Sequence, residues 1–163
     1  MNNTIFVPAL PSLSVTKKIS NLHRLLLKEK LLFEEVAGTV TDNALRCTLL
    51  SVAQQNNQYA AELSAHIQTT RTASNAKKTA AVAHTATAGI YNTADSTTTA
   101  LGVCNTNERK IITAYKKLLK ENALYDGLQQ MVHYQLDGIV FACLQLKLLR
   151  SLSRTRKHPH VIA

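Results

Sequence analysis

Apolar residues recur at steps of three and four along most of this chain. Between Val15 and Val40 the series reads Val15, Ile19, Leu22, Leu26, Glu29, Phe33, Val36 and Val40, a seam of helical spacing broken only by Glu29. A turn signal, "TDNA", follows, in which Thr41 or Asp42 can cap a second helix. The second seam runs Leu45, Leu49, Val52, Asn56, Tyr59, Leu63 and Ile67, apolar apart from Asn56 and the Tyr59 hydroxyl. A third runs Leu101, Glu108, Ile112, Tyr115 and Leu119, broken by Glu108 and by Asn105 near its start. The fourth, from Leu124 through Leu128, Met131, Gln135, Ala142 and Leu146 to Leu149, is broken by Gln135 and Gly138. The pattern predicts four amphipathic helices near 15–40, 42–70, 101–120 and 122–150.

The polar breaks repeat. Glu29 and Glu108 lie 79 positions apart, and so do Asn56 and Gln135. The same offset lays Leu22 on Leu101, Phe33 on Ile112, Leu49 on Leu128, and the tripeptide Asn43-Ala44-Leu45 on Asn122-Ala123-Leu124. The chain therefore reads as one helical hairpin used twice, with a carboxylate on each first helix and a carboxamide on each second. Unpaired burial of such groups costs about 1–3 kcal/mol each. Their common phase thus predicts a shared polar layer of Glu29, Asn56, Tyr59, Glu108 and Gln135, in which Asn56 and Gln135 donate to the two acids.

Some thirty residues rich in Ala and Thr separate the hairpins, long enough to cross the length of a bundle. Val82, Ile90 and Tyr91 are their few larger apolar residues, and Gly89 and the Ser-Thr run at 96–99 mark breaks. Two hairpins joined by one long crossover is the ferritin-like connectivity. The fold expected is all-α, a four-helix bundle over 15–150 with its crossover at 71–100, an N-terminal extension at 1–14 and a basic tail at 151–163. Five Gly, three Pro and 5% aromatic residues fit a helical domain. The three cysteines, Cys47, Cys104 and Cys143, suggest neither a disulfide framework nor a zinc knuckle. Cys47 and Cys143 fall in helical patterns, where a small buried thiol is expected. The N-terminal stretch lacks a basic start and a sustained apolar run, so a secretory signal is not predicted, and no run of eighteen apolar residues predicts a membrane span. A cytoplasmic protein is the expectation.

Two segments, "LLFEEVAGTVTDNALRCTLLSVAQQNNQYAAELSAHI" and "ERKIITAYKKLLKENALYDGLQQMVHYQLDGI", carry a family likeness. Phe33 precedes an Ala-containing turn at Ala37, Tyr59 leads into an Ala-Glu-Leu ending at Leu63, and Glu108 stands seven residues before Tyr115. In these features the chain resembles a ferritin-like four-helix-bundle family of small bacterial proteins, a domain of unknown function. The resemblance implies a bacterial, cytoplasmic bundle without an established reaction; the role expected for this chain is that of a structural or stress-associated interaction protein.

Ferritin-like iron proteins hold two metals with a Glu from each of two helices and a Glu-x-x-His from each of the others. Glu29 and Glu108 supply the first part and are the only metal ligands the pattern offers. Asn56-Asn57-Gln58-Tyr59 and Gln135-Leu136-Asp137-Gly138 stand where the second part belongs, and no Glu-x-x-His occurs in the chain. Gln130-x-x-His133 and Glu62-x-x-x-His66 lie off the centre of the seam. The sequence thus predicts a degenerate metal site replaced by a hydrogen-bonded layer, no cofactor and no enzymatic activity. The alternative is a metal-binding ferritin-like oxidoreductase or iron-storage protein, holding iron or another divalent metal. No Gly-rich phosphate loop, nucleophile elbow or Cys–His pairing is present, and His23 and His84 are isolated.

Charge adds one competing function. Nineteen basic and ten acidic residues give a formal net charge of +9, and no acid follows Asp137, while Lys147, Arg150, Arg154, Arg156 and Lys157 do. Arg150, Arg154, Arg156 and Lys157 form a candidate anion-binding set that could hold DNA weakly and without sequence preference. No aromatic residue is interleaved with them, which disfavours base stacking. The doublets Leu26-Leu27, Leu31-Leu32 and Leu148-Leu149 exceed what one seam buries, and they point either to a homodimer or to cover by the crossing segment or the N-terminal "IFVPALPSL".

Overall fold

In a computed structural model, which describes residues 12–74 and 96–157, the chain forms four helices: α1 (Leu13–Thr39), α2 (Asn43–Ser74), α3 (Ser96–Leu119) and α4 (Asp126–Lys157). No strand occurs among the described residues. Most of the expected N-terminal extension and crossover, His84 among them, lies outside these residues. So do the side chains of Leu101, Arg154, Arg156 and Lys157, although their backbone is helical.

Local chemistry sets the helix ends. The Ser12 hydroxyl accepts the Val15 amide at the start of α1, and the Asp42 carboxylate accepts the Leu45 amide at 2.9 Å at the start of α2. Position 121, which the 79-residue offset sets opposite Asp42, holds Glu121. Its carboxylate pairs instead with Lys18 on α1. With no cap there, α4 starts at Asp126 rather than near 122, so Asn122-Ala123-Leu124 lies in a turn while Asn43-Ala44-Leu45 opens α2. At the other end α3 begins at Ser96, so the Ser-Thr run expected as a break forms its first turn.

Helix α1 packs closely on α2 and α3, and α4 on the same two; among the described residues the backbones of α1 and α4, and those of α2 and α3, stand diagonally across the core without close approach. The Lys18–Glu121 pair sets the start of α1 beside the end of α3. The Tyr125–His66 hydrogen bond, 2.6 Å, sets the start of α4 beside the end part of α2. Each helix therefore runs antiparallel to both of its neighbours, an arrangement consistent with a four-helix bundle.

The core is two apolar clusters. One gathers Ile19, Leu22, Leu26, Tyr59, Leu63, Ile111, Tyr115, Leu128 and Ile139. The other gathers Phe33, Val36, Leu45, Leu49, Val52, Cys104, Ala142 and Leu146. Between them along the chain stand Glu29, Asn56 and Glu108, all buried. Cys104 and Cys143 are buried as well, whereas Cys47 is exposed, because it projects between Leu45 and Leu49 on the outward side of α2. No described helix is long and apolar enough to cross a membrane.

Candidate functional site

Seam positions on four helices bring the polar residues inward, but at two levels. At the first, the Asn56 amide donates to Glu29 Oε2 at 3.2 Å, and the Cys143 thiol stands beside Glu108, where it favours the ionised acid. Glu29 Oε1, Glu108 Oε1 and Asn56 Oδ1 are buried without a partner. Glu29 and Glu108 line a common gap with Phe33, Val52, Ile139 and Leu146, and it has no room for a water molecule.

Acceptors without donors point to a missing proton. Burial, and behind it the Glu108 charge, push the Glu29 carboxyl up to about 8, against the opposing hydrogen bond from Asn56. Burial raises Glu108 also, but the Cys143 thiol, then Arg150 and Lys147, work the other way. Burial thus favours a proton on this pair of acids, Glu29 above all, and that proton offers one of the donors the storey lacks. Burial pushes both the Cys104 and Cys143 thiols up to about 12, so neither is a thiolate.

Gln135 stands elsewhere. Cys143, the neighbour of Glu108, is eight residues further along α4, about 12 Å of helix. Gln135 accepts from the Tyr115 hydroxyl at 3.0 Å and donates to Glu62 Oε2 at 2.7 Å and, at 3.5 Å, to the Tyr59 carbonyl. The expected donation from Gln135 to Glu108 does not form, because the long turn before α4 slides that helix along α3. The Tyr59 side chain completes this second level: its hydroxyl accepts from Gln55 at 2.9 Å, and its ring meets Tyr134 edge-on, centroids 6.1 Å apart. All five residues of the expected layer are buried. Sequence reading missed Cys143, Tyr115 and Glu62 as their partners; Glu62, three residues after Tyr59, carried the signal in its spacing.

Among the described residues no three His, Cys, Asp or Glu side chains gather to hold a metal ion. The facing pair Glu29 and Glu108 lacks the histidines and further carboxylates that would balance two divalent charges. Of the candidate anion-binding set, Arg150 is half-buried and acts on Glu108 rather than standing clear of the bundle.

Residues 14–121 match the family described as a domain of unknown function (DUF2383). The chain belongs to that family. No curated protein matches it, and no solved structure does. The family region spans α1, α2 and α3 and so takes in Glu29, Asn56, Tyr59, Glu108 and Tyr115, while Gln135 and Cys143 come from α4 beyond it.

Proposed function

We propose that this protein is a non-catalytic bundle of ferritin-like topology whose core acids hold the helices in register instead of holding metal. The storey of Glu29, Asn56, Glu108 and Cys143 carries the reading: it is buried between two apolar clusters, admits no water, and its burial raises both acids toward the neutral form. A metal centre of this kind needs ionised carboxylates, and here burial favours the neutral acid. The ferritin-like topology is supported by four antiparallel contacts around the bundle and by a long segment joining α2 to α3. Buried polar groups that satisfy one another fix which helices face each other more than they add stability.

Metal analysis of the protein produced with iron and manganese supplied tests the proposal. The expected result is well under one ion per chain, unchanged in Glu29→Gln and Glu108→Gln. Two ions per chain, lost in either variant, would overturn it.

A further inference from the structure

A cleft of about 670 Å³ opens between α1 and α3, away from the core storeys. Five of its lining residues are cationic, Lys17, Lys18, Arg109, Lys110 and Lys117, and none is acidic. Lys18 pairs with Glu121, whereas among the described residues no carboxylate pairs with the other four. The Asn21 amide adds a donor, since its own oxygen is already engaged by Arg24. Antiparallel packing makes the charges a row, with Lys17 and Lys18 beside Lys117 at one end and Arg109 and Lys110 two turns along α3. Like charges gathered without counter-ions raise the local positive potential and so favour an anion in this cleft.

We propose that the α1–α3 cleft binds a short linear oligophosphate. Lysine and arginine together suit phosphate oxygens, the first as a point charge and the second as a two-pronged donor. The row matches several phosphates in line better than a single one. Its volume is that of a small-ligand site. The cleft lacks any aromatic residue, so nothing there would stack a nucleobase, and its concavity suits a narrow chain better than a duplex.

Titration of the full chain with inorganic tripolyphosphate at low ionic strength, followed by calorimetry, tests this. Binding is expected to weaken with added salt and to fall roughly tenfold or more in Arg109→Ala/Lys110→Ala. Thr113→Glu, an exposed substitution that sets a negative charge in the cleft, should abolish it; circular dichroism verifies that both variants fold. Arg154→Ala/Arg156→Ala/Lys157→Ala should bind as the parent does. The proposal is overturned if tripolyphosphate does not bind, if sulfate at equal concentration competes equally, if the cleft variants bind normally, or if the α4 variant loses binding. It is also overturned if duplex DNA binds more tightly than tripolyphosphate and does so through Arg109 and Lys110.

Discussion

Glu29 ties one proton to the stability of the whole core. Its folded value of about 8 lies above the 4.5 of an ordinary glutamate, so between those values the folded chain binds more protons than the unfolded one. The contribution is fully present below 4.5, is lost as pH rises, and levels off above 8, with on the order of 5 kcal/mol as an upper bound. Glu29→Gln keeps an amide donor for Glu108 and removes the titration. Denaturant unfolding of parent and variant across this range should show them similar near pH 4.5 and the variant more stable at pH 8. Taking the difference cancels the opposite slope of His23 and His66, both lowered by burial. A parent as stable as the variant at pH 8 would remove the proton from Glu29. Gly138 is the other decisive residue: a Cβ there would overlap the Tyr59 hydroxyl and press on Cζ at 3.2 Å and Gln55 Nε2 at 3.1 Å. Gly138→Ala should destabilise by about 1–3 kcal/mol, exceeding the roughly 1 kcal/mol that alanine adds in a helix. Tyr59→Phe in that background should return part of the loss, and strict additivity of the two in thermal melts would refute the contact.

Helix α4 keeps an apolar stripe on its outer side. Tyr134, Phe141, Leu144, Leu148 and Leu152 are all exposed, Phe141 by 69%, and their spacing lays them along one line of the helix. Acids stand toward its start, Asp126 and Asp137, and bases toward its end, Lys147 and Arg150. Two copies of α4 laid antiparallel would bring Tyr134 near Leu152 and opposite charges together, whereas a parallel pair would oppose like charges. A light-scattering mass of two chains at micromolar concentration is expected, falling to one in Phe141→Asp/Leu148→Asp. One chain in the parent would show the stripe unpaired. Leu31, although exposed, belongs to α1, which stands diagonally across the bundle from α4, so the leucine doublets do not form one face. The helices themselves were legible because apolar spacing is set by burial, and Leu22, Leu26, Phe33 and Val36 lie inward as their phase requires. Spacing along one helix says nothing about how far its neighbour has slid. For that reason Glu29–Asn56 was foreseeable and Glu108–Cys143 was not: the first hairpin has a capped, three-residue turn, and the second lost its cap when Glu121 turned to Lys18.

Across the whole molecule the two hairpins share their inward acids yet diverge where they meet. Tyr59 and Gly138 occupy the same position in the two repeats, 79 residues apart, and they are also the residues that face each other between α2 and α4. The contact between Glu62 and Gln135 keeps the same register, so a local twofold axis passes through the Tyr59–Gly138 pair. An assembly of two identical hairpins would set this residue against its own copy on that axis. Two tyrosines would collide there, and two glycines would leave a hole with no ring to fill it. Neither half can therefore replace the other. The bundle demands two unlike halves, with its symmetry broken where symmetry would be most expensive to keep.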